Sequence, residues 1–168
     1  MSVQFDEQHL PATSEDLDAL DSRWGATVPQ ALVAFLRLHD GAIPEPNELD
    51  SAHPGGDVGI GIDEFLGARA ILDVAARYGD RLGSDAVPIA YAAGGNLVCL
   101  SRVDGSVMFW DHELEHGDPF TRVADDLAAF LERLQPFDLG DFVPTAEERA
   151  SSWINPKFAA EFPDETAG

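Results

Sequence analysis

The sequence predicts an α+β fold: one domain with a curved antiparallel sheet packed against helices from the N- and C-terminal parts of the chain. Three observations carry that expectation. Between Val87 and Glu113, apolar β-forming runs are separated by Ala-Gly-Gly-Asn and Val-Asp-Gly-Ser. Gly and Asn tolerate positive φ, and Asp-Gly between apolar runs is hairpin chemistry, so the stretch reads as a meander of Val87–Tyr91, Asn96–Ser101 and Ser106–Trp110. Ahead of it, apolar residues recur at helical spacing, and behind it Leu127, Phe130, Leu131 and Leu134 form another helical stripe. Runs of helix followed by a run of strands point to α+β layering.

In chain order, Thr13-Ser14-Glu15-Asp16 opens the first helix, with a hydroxyl to cap it and acids in its first turn. Leu17, Leu20 and Trp24 make its apolar face, and Gly25 ends it. Pro29 suits the first position of a second helix carrying Leu32, Val33, Phe35, Leu36 and Leu38, which stops near Asp40-Gly41. Residues 42–58 read as a long loop rich in Pro, Gly and acids, and a loop of that length in a small domain is functional or mobile. Gly59 to Leu66 contains a short strand; Gly59-x-Gly61 alone is no dinucleotide fingerprint. Residues 68–78 read as a third helix. After the meander a last helix is expected over 124–134, with Asp125 and Asp126 in its first turn.

The domain is expected to span residues 1–135. Residues 136–168 form an extension, where Thr145-Ala146-Glu147-Glu148 is a capping-box pattern for a short helix. Trp153, Ile154, Phe158 and Phe162 either pack back on the domain or offer a partner surface; packing is the favoured reading.

The 168 residues carry a formal net charge of −21. Such a field repels nucleic acid and anionic membrane and attracts a basic partner. Solubility or a saline host would also account for it. No apolar run approaches the roughly 20 residues of a membrane span. The N-terminal residues show neither the basic region nor the apolar core of a secretion signal, so a cytoplasmic setting is expected. Cys99 is the only cysteine and lies mid-strand, which reads as a small buried hydrophobe.

Two separated motif groups resemble the SUKH superfamily, which includes bacterial immunity proteins and fungal cell-wall assembly regulators. One is Gly25, Val28-Pro29, Leu32, Phe35-Leu36 and Asp40-Gly41. The other is Val87-Pro88-Ile89-Ala90, Gly94-Gly95-Asn96, Leu100, Gly105 and Val107 to Glu113. The resemblance covers residues 17–134. It implies a non-catalytic binding domain without cofactor, most readily an immunity protein that neutralises a toxin, often a nuclease, one to one. A scaffold for an endogenous protein is the alternative. Trp24, Gly25, Pro29, Gly41, Pro88, Gly95, Asn96, Gly105 and Trp110 are then framework positions. An acidic surface would occupy the basic cleft of such a toxin. The candidate contacts are Glu45, Glu48, Asp50 and Asp57 in the long loop, with Asp111, His112, Glu113, Glu115 and Asp118 after the meander.

His112-Glu113-Leu114-Glu115-His116 also spells H-E-x-x-H, in which a helix would hold two zinc-binding histidines on one face with the glutamate as base. The motif directly follows a β-like run and is cut off by Gly117-Asp118-Pro119, leaving scarcely one turn of helix. Glu132 is the one downstream carboxylate placed to complete such a site, so zinc hydrolysis stands as a remote reading. No hydroxyl or thiol has recognisable catalytic partners, and there is no phosphate-cradling loop.

Overall fold

A computed structural model describes residues 3–6, 10–25, 28–49, 59–114 and 116–136. The expected extension, with its short helix and aromatic residues, lies outside them. Among the described residues the architecture is α+β, as expected: four helices and a curled antiparallel sheet of seven strands, with a separate two-stranded pair.

The order along the chain is β1 (Gln4–Phe5), α1 (Ser14–Trp24), α2 (Gln30–His39), β2 (Pro44–Glu45), β3 (Glu48–Leu49), β4 (Ile60–Phe65), α3 (Ala68–Leu82), β5 (Ala86–Ala92), β6 (Asn96–Ser101), β7 (Val107–Trp110), β8 (Phe120–Ala124), α4 (Leu127–Glu132) and β9 (Leu134–Gln135). β1 pairs with β2. The large sheet runs β8-β7-β6-β5-β4-β3-β9.

Its curl follows from connectivity. Seven flat strands would hold β8 and β9 about 29 Å apart. The short link between these edges is mostly α4, and a helix of that length advances only about 9 Å. Flat edges are therefore out of reach, and the sheet bends until they approach. Arg133, just before β9, donates to the Val123 carbonyl of β8.

Local chemistry sets the helix ends. Thr13 and Asp16 form a reciprocal capping box at the start of α1, and Leu17, Leu20 and Trp24 are its buried face. The backbone N–H of Ala68 donates to Asp40 Oδ1 at 2.7 Å, so the residue that ends α2 caps α3. A Cβ on Gly67 would sit 3.1 Å from Asp40 Oδ2, so a larger residue there would press on the capping carboxylate. α3 runs four residues beyond the expected end at Tyr78, because Leu82 continues the buried stripe of Ile71, Val74 and Ala75. Arg102 binds α1 to the sheet through Nη2 on the Trp24 carbonyl at 3.0 Å and Nη1 on the Ser84 carbonyl at 2.6 Å.

Two expectations are corrected. Residues 120–124 form β8, so α4 starts only at Leu127, where the Asp126 side chain caps it by accepting from Ala129 N at 2.8 Å. The long loop contains the short strands β2 and β3, too brief to show periodicity. Pro88 sits within a central strand, but the β5–β6 register shifts between Pro88 and Ala90. Proline is tolerated at such a bulge, and the Ile89 carbonyl there accepts from Leu66 N at 2.8 Å.

The core is one apolar cluster shared by the sheet and all four helices. Cys99 lies fully inside it, and burial pushes its thiol pKa up. Thiol-specific labelling of the native protein is therefore expected to run about a thousandfold or more slower than in denaturant, since only opened molecules expose a thiolate. Rapid labelling without denaturant would contradict the buried assignment. No described helix is long and apolar enough to cross a membrane.

Two carboxylates, half-buried Asp16 and exposed Asp104, act as local staples. Asp16 is lowered to about 2, first by the Thr13 hydroxyl and then by Arg69 of α3, 2.6 Å away. Asp104 is lowered to about 2 by the hydroxyls of Ser106 and Ser101 in the β6–β7 turn. Groups whose folded pKa is depressed stabilise above the unfolded value and lose that contribution as pH falls through the folded one. The stability gap between wild type and Asp16→Asn/Asp104→Asn is thus expected to be constant above about pH 5 and to close as pH falls through 3.8 toward about 2. Denaturant titrations across that range read it directly, and a gap that persists at pH 2 would refute the assignment.

Candidate partner-binding surface

One end of the large sheet gathers most of the predicted contact segments. Leu49 pairs with Ile60, Ile62 with Ala92, Ala92 with Asn96, Leu97 with Trp110 and Trp110 with Phe120. The chain therefore leaves β3, enters β4, turns from β5 to β6 and leaves β7 at a common end. Glu45 is exposed in the separate pair with β1. Asp50, Asp57 and Glu115 lie outside the described residues.

Glu48 departs from expectation. It is 8% exposed, and a Cβ on Gly59 would overlap its carboxyl, 1.8 Å from Oε1. Its carboxylate faces inward against the start of β4 and is not part of the exposed acidic set. A two-residue strand leaves no alternation in the sequence from which to read that orientation.

The turn after β7 is built from its own side chains. The amide oxygen of Asn96 accepts the His112 backbone N–H at 3.1 Å and meets His112 Nδ1 at 2.9 Å. An amide oxygen only accepts, so Nδ1 carries a hydrogen and Nε2 is the acceptor of the neutral ring. The Asn96 amide nitrogen donates to the Ala93 carbonyl at 3.1 Å, which closes the 3-10 turn over Ala93–Gly95. Gly95 has φ +83, and a Cβ there would lie 3.4 Å from His112 Cε1. The Gly-Gly-Asn and Trp-Asp-His-Glu motifs are thus two halves of one contact, with the imidazole packed over a glycine backbone.

Asp111 and Asp118 close the same turn. Asp111 N donates to the Pro119 carbonyl at 2.9 Å, and Asp111 Oδ1 accepts from Glu113 N at 2.9 Å. Asp118 Oδ1 accepts from Phe120 N at 3.0 Å. Asp111 and His112 are half-buried, while Glu113, His116 and Asp118 are exposed. His112 and Glu113 lie in a turn and His116 in a bend. The helical spacing that H-E-x-x-H chemistry requires is not realised, because Asn96 and Pro119 have already fixed the backbone in another form.

Two residues absent from the sequence reading complete the surface. Arg81, in the last turn of α3, donates through Nη2 to the His112 carbonyl. Its guanidinium lies over the Trp110 ring, 4.9 Å from the centroid. Tyr78, one turn earlier on α3, packs on the same indole at 5.5 Å. Trp110 itself is 1% exposed. Continuation of the apolar stripe to Leu82 was the available signal, since a helix extended through Gly79 carries Tyr78 and Arg81 on one face.

The other framework residues stand at the ends of elements. Trp24 and Gly25 end α1, Pro29 precedes α2, Gly41 follows α2 with φ +74, and Gly105 turns β6 into β7 with φ +75.

A curated relative, an uncharacterized SPbeta prophage-derived protein named YokK from Bacillus subtilis (strain 168), is 29% identical over 139 residues, covering 71% of this chain and 72% of that protein. The model of the SMI1 / KNR4 family (SUKH-1) matches residues 11–133, from the approach to α1 to the end of α4. That span contains both motif groups and the Asn96–His112 contact within the second, and the chain belongs to the SMI1 / KNR4 (SUKH-1) family.

Proposed function

We propose that this chain works by stoichiometric binding and not by catalysis, as an immunity protein that neutralises a toxin domain in the cytoplasm. The observation that carries the reading is the acidic turn at residues 111–118, tied down by Asn96 and by its own carboxylates, on a chain of net charge −21. A rigid acidic projection has lost its conformational freedom before it meets a partner, so less of the interaction energy is spent on ordering it. The surrounding negative field draws in a basic surface and speeds encounter. A toxin that grips nucleic acid has such a surface, and covering it excludes the substrate. The prophage origin of a relative is in keeping with a pair carried on mobile DNA.

The test co-expresses this chain with nuclease toxin domains of basic surface. Co-expression is expected to rescue growth, and calorimetry is expected to give a one-to-one complex that weakens as salt rises. The triple change Asp111→Asn/Glu113→Gln/Asp118→Asn is expected to slow association about tenfold, with a smaller effect on dissociation. Failure of rescue, or an affinity indifferent to salt, would remove the reading.

A further inference from the structure

Arg81 stands out on the acidic end of the sheet. It is an exposed cation beside Asp111 and Glu113, and Asp80 precedes it in the chain, yet among the described residues it makes no ion pair. One face of its guanidinium rests on Trp110 and one donor is held by the His112 carbonyl. Arg23, Arg37 and Arg77 are also exposed and outside any described ion pair; Arg23 lies over Trp24, 5.3 Å from the centroid, but no described hydrogen bond holds its head, and Arg37 and Arg77 have neither contact. A guanidinium so held keeps its remaining donors in a fixed fork, the geometry that matches a carboxylate. Arg is also one of the residue types enriched at binding hot spots, and buried Trp110 serves here as its platform.

We propose that Arg81 is the specificity-determining contact of this surface, and that the partner meets it with a carboxylate set inside a basic rim. The inference rests on the binding function proposed above and adds the partner's charge pattern. The acids around Arg81 face the basic rim, and Arg81 faces the acid at its centre. A uniformly basic protein would be repelled at Arg81 and a nucleic acid by the acids around it, whereas a partner with one central acid inside a basic rim gains an interaction that such competitors lack.

The experiment is calorimetric titration of the full chain with the purified, catalytically inactivated toxin domain that the co-expression test identifies. Arg81→Glu is expected to weaken binding about thirtyfold or more. Arg37→Glu changes the net charge equally from a position on α2 and is expected to cost less than about fivefold. Changing the partner's surface carboxylates to lysine one at a time, against Arg81→Glu, is expected to restore about tenfold or more at one position. A merely structural role for Arg81 would not respond to a charge on the partner. Should Arg81→Glu melt the fold, Arg81→Lys keeps the charge but not the fork and is expected to lose about tenfold, with Arg37→Lys unchanged. Equal losses for the Arg81 and Arg37 variants, or no restoring position, would overturn the inference while leaving the binding function intact. If the wild type does not bind, both fall together.

Discussion

Phe65→Ala is expected to destabilise the protein by about 3–5 kcal/mol, the cost of removing a fully enclosed phenylalanine from a core that cannot collapse around the gap. Phe65 is 1% exposed at the end of β4. Its ring lies 5.9 Å from Phe5 of β1, 4.7 Å from Phe35 of α2 and 6.3 Å from Phe130 of α4. Its backbone N–H donates to the Ala42 carbonyl at 2.9 Å. One side chain thus touches three elements, including the helix that joins the two edges of the sheet. The cavity would open where these elements converge, so no single one can shift to fill it. In urea the midpoint is expected to fall by about 2 M with little change in slope. Leu38→Ala provides the contrast: Leu38 is 70% exposed, and its truncation is expected to stay within about 0.5 kcal/mol. A loss below about 1.5 kcal/mol for Phe65→Ala would mean that the four rings are not a single packed unit.

That cluster marks the limit of what the sequence discloses. Helical spacing places Phe35 and Phe130 on buried faces, and the apolar run after Gly59 marks β4, because each is a local pattern. Which faces meet is decided by closure of the sheet, and residues 5, 35, 65 and 130 lie too far apart along the chain for spacing to pair them. The capping chemistry was local and legible at Thr13. At Asp126 the same chemistry was present, but two successive acids read equally well as a first turn, and Ala124, the last residue of the strand before them, was taken into the helix. The turn after β7 shows both sides of the limit. Its abrupt polarity announced a loop, and the resemblance announced that Asn96 and His112 matter. Glu48 was misplaced because charge in a loop suggests solvent, and only the close approach of Gly59 shows that it turns inward.

The second large effect is expected at Asn96, where structure and binding meet. Asn96→Ala removes one oxygen that serves two donors of His112 and one amide that serves the Ala93 carbonyl. The site is part-buried, so water replaces these partners only in part, and the loss is expected to reach about 2 kcal/mol. His112→Ala keeps the backbone N–H to Asn96 and loses only the ring contact, so it is expected to cost about 1 kcal/mol. In a double-mutant cycle the two changes are expected to couple by about 1 kcal/mol, because each removes the same ring-to-amide bond. The same variants separate framework from contact. If Asn96 only braces the turn, Asn96→Ala leaves every acid and Arg81 in place but lets the segment move, and partner binding weakens through the entropy of re-ordering it. Association would then lose little of its electrostatic acceleration, and dissociation would quicken. Neutralising Asp111, Glu113 and Asp118 is expected to do the reverse, slowing association and sparing dissociation. Stopped-flow rates for both sets measure the two effects in one experiment. Identical rate signatures would mean that the Asn96–His112 contact and the acids do not play separate parts, and that the turn's rigidity is not what makes its charges effective.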